Sequence, residues 1–234
     1  MTAIVVSAFI AITFSGCAQK KIATTLPAPV ATAPVLAASS VCPPGSAQTF
    51  APNPAPRLVE YFFIDKGEHY TDYIKQVNFQ KMTHLDLAFG VPAKCDGVCT
   101  PASDMTFSIP EQSDADIAAI VAAAHAAGVK VILSIGGGGG DQRIIQFYNA
   151  GLSNELVSSL DKFVAAHGLD GVDLDIEDPS NMGAPFGTLV NALMAKFHPE
   201  GKIVTAAVAK YLQSSMPDAS LHQFDFINVM VYSS

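Results

Sequence analysis

The sequence predicts an α/β fold, a TIM-type (β/α)₈ barrel of which about six of the eight strand–helix units are present. Three observations predict it. From Leu58 onward, apolar strands alternate with helical segments. Two helix-to-strand joins, Ala126-Ala127-Gly128-Val129 and Ala166-His167-Gly168-Leu169, repeat one pattern. Finally, Ser134, Asp173, Asp175, Glu177 and Tyr232 all fall near the C-terminal ends of strands. Repeated βα units with continuous apolar strands imply a parallel sheet covered by helices. In a barrel, the C-terminal strand ends form the face that carries the chemistry. An open doubly wound sheet is the alternative, but its phosphate-binding fingerprint would follow the first strand, whereas the glycine run 136–140 follows the third.

The elements follow in order. Residues 58–65 make a first strand, with Tyr61, Phe62 and Phe63, and a short helix covers 69–76. Residues 83–90, Thr-His-Leu-Asp-Leu-Ala-Phe-Gly, make a second strand, and a long loop, 91–110, follows it. The helix over 113–127 has Ser113 as cap, Asp116 in the capping-box position, and Ile117, Ile120, Val121 and Ala124 on one face. Residues 129–135 are a third strand. A helix over 154–167 turns Leu156, Leu160, Phe163 and Val164 inward. The fourth strand lies within 168–178, a helix over 188–197 follows, then a fifth strand over 203–209, a broken helical stretch over 211–222 and a sixth strand over 224–232. A complete barrel takes about 250 residues. Six strands are expected to leave a sheet edge open.

The chain has 234 residues and a net charge of −8, and half of it is hydrophobic. A sizeable core can therefore be buried. The acidic balance without a basic stripe argues against a nucleic-acid partner. Residues 1–17 read as a signal peptide: the apolar run 3–14 has the length of a signal h-region and is too short to span a bilayer. Phe14-Ser15-Gly16-Cys17 resembles the lipobox of bacterial lipoproteins, in which the Cys is lipidated, and an ordinary cleaved signal is the alternative. Either implies export, as a membrane-anchored lipoprotein, periplasmic or at the cell surface, or as a secreted protein. Residues 18–57 are rich in Pro and Ala and read as an extended tether. Cys95 and Cys99 are close enough in sequence to close a small disulfide loop in an oxidising compartment. A zinc site there would need further ligands.

The stretch Asp170-Gly-Val-Asp173-Leu-Asp175-Ile-Glu177 carries the chemistry. Side chains alternate along a strand, so Asp173, Asp175 and Glu177 stand in one row. Packing three carboxylates together costs desolvation and repulsion, which a strand built only to fold would avoid. A metal-binding row or a solvated edge strand is the structural alternative, but the apolar opposite face argues against an edge. Asp173 and Asp175 are close enough to share a proton, and Glu177 adds a third charge.

The four acids at this spacing resemble the DxxDxDxE signature of glycoside hydrolase family 18, the chitinases and endo-β-N-acetylglucosaminidases. Ser134-Ile135-Gly136-Gly137 resembles the family's SxGG, and Met230-Val231-Tyr232 its MxY. The second strand, through Phe89, and Tyr61 on the first also fit its pattern. The resemblance runs from Leu58 to the end of the sequence. It implies a retaining, substrate-assisted hydrolysis of β-1,4-linked N-acetylglucosamine, without cofactor or metal. Glu177 would be general acid and then base. Asp175 would orient the substrate's N-acetyl group, whose oxygen is the nucleophile, and Tyr232 would hold that oxygen. Asp173, backed by Ser134 and Tyr61, would tune Asp175. Phe89, Gly136, Gly137 and Met230 would line the sugar site. A non-catalytic glycan-binding relative is the alternative. The absence of Trp points towards soluble chito-oligosaccharides or related glycans rather than crystalline chitin.

Overall fold

Strands and helices alternate as the apolar pattern requires. The computed structural model describes residues 8–12 (backbone only), 56–92, 106–138, 140–212 and 214–230. The strands are β1 (Ala8–Ile12), β2 (Leu58–Phe62), β3 (His84–Pro92), β4 (Phe107–Ser108), β5 (Lys130–Gly136), β6 (Gly171–Asp175), β7 (Ile203–Ala209) and β8 (Phe226–Met230). The helices are α1 (Tyr70–Tyr73), α2 (Asp114–Ala126), α3 (Asp141–Asn149), α4 (Ser153–His167), α5 (Ala184–Phe197) and α6 (Asp218–Leu221).

Local signals set the helix ends. Ser113 Oγ accepts the Asp116 N–H at 3.2 Å, and Asp116 Oδ2 accepts the Ser113 N–H at 3.1 Å. This reciprocal pair satisfies two donors at the start of α2. Gly128 and Gly168, the glycines of the two look-alike joins, have φ of 78° and 65° and turn the chain from α2 into β5 and from α4 into β6. Other residues adopt that conformation at a cost.

β2, β3, β5, β6, β7 and β8 pair in that order, every pairing parallel. This is the expected run of six barrel strands, with α2 packed on β5 and α5 on β7. Both faces of β6 are buried, as a strand between helices and a filled interior must be. Ile120, Leu160, Leu189, Leu193 and Phe197 are fully buried on the helix side. Each such side chain stabilises the fold by about 1.5–3 kcal/mol.

Four features differ from the sequence reading. The edge expected to be open is paired: β1 lies antiparallel between β8 and β2, within the same compact unit. The backbone of residues 8–12, within the segment read as a signal, thus supplies partners to N–H and C=O groups of β2 and β8, the outer two of the six parallel strands among the described residues. Second, α3 follows the glycine run directly. Gly140 caps it without a side-chain bond, so no cap residue announces it, although Ile144, Ile145 and Tyr148 form a buried face. Third, the long loop begins and ends as a hairpin, with Val91 and Pro92 of β3 paired to β4. Cys95 and Cys99 lie outside the described residues, as do Cys17 and the 18–55 part of the expected tether. Fourth, β6 stops at Asp175, so Ile176 and Glu177 lie beyond it.

Asp170 belongs to this framework and not to the site. It sits just before β6 and accepts from His125 Nε2 at 2.7 Å, Lys130 Nζ at 2.9 Å and the Val131 N–H at 2.9 Å. Burial alone would raise its carboxyl, but these three partners outweigh burial and hold it below its ordinary range. His84 is likewise an interior residue: burial, then the Arg57 charge, lowers it to about 4, and its ring meets Phe226 edge-on. Asp170→Ala should therefore lower the urea midpoint by the equivalent of about 1–3 kcal/mol. In a fold that retains its site, sugar binding measured by calorimetry should stay unchanged.

Candidate functional site

Strand register builds the centre of the site. Ser134, Asp173 and Thr205 stand opposite one another on β5, β6 and β7. All three are fully buried in the barrel interior. Asp173 Oδ2 accepts from Ser134 Oγ and from Tyr61 Oη, each at 2.8 Å, and Oδ1 accepts from Thr205 Oγ1 at 2.6 Å. Asn228 Nδ2 on β8 donates to Tyr61 Oη at 3.0 Å and reaches Asp86 Oδ2 at 3.4 Å and Asp173 Oδ1 at 3.5 Å. Burial pushes the Asp173 carboxyl up, and hydrogen bonds from Thr205, Ser134, Tyr61 and Asn228 oppose it. Burial and the Asp173 charge hold Asp86 well above the ordinary carboxylate range. The expected backing of Asp173 by Ser134 and Tyr61 is thus present in the geometry. Thr205, Asn228 and Asp86 were not anticipated, although the first two are lone polar residues in apolar strands and Asp86 shares β3 with His84 alone.

Asp175, two residues on, has a different environment. It is 4% exposed, and its Oδ1 has no hydrogen-bond partner among the described residues. Burial, then the charges of Asp173, Glu177 and Asp141, push its carboxyl up to about 8. No hydrogen bond joins it to Asp173 among the described residues. The two carboxyls thus meet unequal environments: hydroxyl donors surround Asp173, whereas Asp175 keeps one buried oxygen without a donor among the described residues.

Glu177 stands at the mouth, partly exposed. Its Oε1 accepts the Gly138 N–H at 2.7 Å, and Tyr211 Oη lies 3.3 Å from Oε2. Asp141 Oδ2, on the first turn of α3, accepts the Glu177 N–H at 3.1 Å and fixes the backbone there. The group that the glycine run receives is therefore the chain's own Glu177 carboxyl. Gly136 and Gly137 were expected to leave room for a sugar ring, yet their side-chain space is already used. A Cβ on Gly136 would come within 2.1 Å of the Asp175 carbonyl oxygen, and one on Gly137 within 2.3 Å of the Phe89 ring. Gly137 also donates its N–H to that carbonyl at 2.8 Å. Beside the run opens a cleft of about 500 Å³ walled by Phe63, Phe89, Ile109 and the glycines. Phe89 thus lines a cavity as expected. Met230 is buried two residues after Asn228, on the same face of β8. Tyr232 lies outside the described residues. Asp141 and Tyr211 were missed, the first because it begins an unannounced helix, the second because nothing local marks it. Among the described residues no ion pair neutralises these acids, and no three His, Cys, Asp or Glu are grouped to hold a metal ion.

This arrangement places two buried carboxyls in unlike environments behind a third that meets solvent, at the C-terminal ends of parallel barrel strands. A family model described as Glycosyl hydrolases family 18 matches residues 57–234. The chain belongs to glycosyl hydrolase family 18. Among family relatives, a chitinase-like effector of Moniliophthora perniciosa is 34% identical over 130 residues, 53% of this chain and 28% of the relative. Exochitinase 1 of Streptomyces olivaceoviridis is 36% identical over 103 residues, 41% of this chain and 16% of the relative. The family 18 chitinase ChiB of Flavobacterium johnsoniae superposes with a TM-score of 0.60 at 25% identity, over 75% of this chain and 54% of that one. The chain thus spans well under two thirds of the length of the proteins it resembles.

The Asp175 environment has a measurable consequence. Its folded pKa of about 8 lies above the value of about 4 expected when unfolded. The stability it contributes is therefore fully present below about pH 4 and is lost as pH rises through about 8. Asp175→Asn keeps a neutral side chain at every pH. Its stability relative to the unsubstituted protein, from urea titrations, should rise by roughly 3–5 kcal/mol between pH 4 and pH 8. A difference independent of pH would show that Asp175 is already ionised when folded.

Proposed function

We propose that this protein is an exported glycoside hydrolase that cleaves β-1,4-linked N-acetylglucosamine in chito-oligosaccharides or related glycans. The observation that carries this reading is the pairing of a buried Asp175, one oxygen of which has no partner among the described residues, with a partly exposed Glu177 held by the Gly138 N–H. Neither carboxyl alone would do: one is too enclosed to reach a leaving group, the other too far along the chain to touch the sugar's N-acetyl arm.

In the proposed sequence, Glu177 gives its proton to the glycosidic oxygen as the C1–O bond breaks, and the bonding pair stays on that oxygen. The substrate's acetamido oxygen attacks C1 from the other face, so no enzyme nucleophile is needed. Asp175 offers its unpartnered oxygen to the acetamido N–H, and Tyr232 holds the acetamido oxygen. Asp173 keeps its negative charge on the buried hydroxyl donors, which favours the proton on Asp175. Water then opens the cyclic intermediate. Glu177 takes a proton from that water, and the anomeric configuration is retained. The cleft beside Phe89 takes the neighbouring sugar. Membrane anchoring through Cys17 and the Pro/Ala-rich tether rests on the lipobox-like sequence, and processing there would remove β1 and free the edges of β2 and β8 that it pairs with.

A second reading is a glycan-binding relative without turnover, favoured by the likeness to a chitinase-like effector. Release of chromophore from a nitrophenyl chito-oligosaccharide separates the two. The hydrolase reading expects turnover, and Glu177→Gln should reduce kcat by about 10²–10⁴-fold while leaving binding within a few-fold. Binding without turnover in the unsubstituted chain would establish the second reading. For the anchor, the unsubstituted protein produced in a bacterial host should incorporate labelled palmitate, and Cys17→Ala should abolish that label.

A further inference from the structure

Tyr211 lies just after β7, in a single turn, Lys210–Leu212, whose Leu212 is fully buried. The Tyr211 ring is 50% exposed. A lone exposed tyrosine is ordinary. What sets this one apart is its hydroxyl, 3.3 Å from Glu177 Oε2 and 3.4 Å from the Glu177 carbonyl oxygen.

We propose that Tyr211 does two jobs: its hydroxyl positions the Glu177 carboxyl and follows its proton, and its ring floors the sugar beyond the scissile bond. This rests on the hydrolase reading and adds a residue to it. The argument starts from the other carboxyl oxygen. Oε1 accepts the Gly138 N–H at 2.7 Å. In a protonated carboxyl the unprotonated oxygen is the better acceptor, so the proton belongs on Oε2, beside Tyr211. While Oε2 carries it, the Tyr211 O–H donates to the Glu177 carbonyl oxygen. When the proton leaves for the glycosidic oxygen and the C1–O bond breaks, Oε2 becomes negative. The Tyr211 O–H then turns to it and stabilises charge that appears only during the reaction. When Glu177 later takes a proton from water, the hydroxyl turns back.

Strand order places the ring. The cleft of Phe63 and Phe89 lies over the ends of β2, β3 and β5, and Tyr211 follows β7. Glu177, after β6, stands between them, with one oxygen held from each side. A linear glycan seated in the cleft and crossing Glu177 runs on over Tyr211. In a chain with no Trp, that exposed ring supplies an apolar face for a sugar.

The test uses the full chain, a nitrophenyl chito-oligosaccharide for kinetics and chitotetraose for calorimetry. Tyr211→Phe should lower kcat about tenfold, the loss expected for a hydrogen bond to a charged group, with KM and chitotetraose affinity within twofold. Tyr211→Ala should show the same kcat loss and in addition weaken chitotetraose binding about tenfold. Both variants should melt within a few degrees of the parent. Unchanged kcat in Tyr211→Phe would overturn the hydroxyl's role, and unchanged affinity in Tyr211→Ala would overturn the ring's. If the parent binds chitotetraose but shows no turnover, the hydrolase reading and the hydroxyl's role fail together, while the affinity of Tyr211→Ala still decides the ring. A parent that neither binds nor cleaves would overturn both.

Discussion

Everything at the mouth of this barrel depends on one enclosed carboxylate held by hydroxyls. Asp173 is fully buried and has no cation beside it among the described residues, yet Tyr61, Ser134 and Thr205 all donate to it. Burying an unpaired charge costs far more than burying a neutral group. Short donors from three different strands are the means by which the interior tolerates it. Burial first, and then the Asp173 charge, press the next carboxyl along β6 towards neutrality, and a neutral Asp175 can be enclosed without a counter-ion. A polar layer that costs stability thus adds to the burial that raises the Asp175 carboxyl in front of it.

The second organising element is backbone rather than side chain. Gly136 meets the end of β6, and Gly137 the Phe89 ring, so closely that no larger residue fits at either position. That closeness brings the Gly138 N–H to Glu177 and the Gly137 N–H to the Asp175 carbonyl. The carboxyl that would do acid–base chemistry is aimed by main-chain groups, which lose little conformational freedom on being fixed and cannot titrate away.

The βα rhythm, the parallel sheet and the acidic row were legible in the sequence because each rests on local periodicity. The capping box at Ser113 and Asp116 and the glycines at 128 and 168 were legible for the same reason. Less visible were features made by tertiary contact. Asp86, Thr205 and Asn228 look like isolated irregularities in apolar strands until register brings them to Asp173. α3 has no cap residue, and a glycine run reads as loop. Tyr211 acquires meaning only from its distance to Glu177. The glycine run was marked as special, and it walls the cleft, but its close fit to Asp175, Phe89 and Glu177 of the chain itself could not be read from the sequence. Pairing of β1 with both terminal strands could not be read from a segment whose composition equally describes a leader.

The layer around Asp173 also bears on how the protein is made. Tyr61 and Asp173 are 112 residues apart in sequence, and Tyr61 and Asn228 are 167 apart. Contacts of such long range close late, because large loops must be ordered before any reward is gained. During synthesis from the ribosome, β2 to β7 emerge before Asn228 exists to complete the network. A nascent chain carries its acidic row without the full set of donors that makes it tolerable, and the layer is complete only once β8 has joined the sheet.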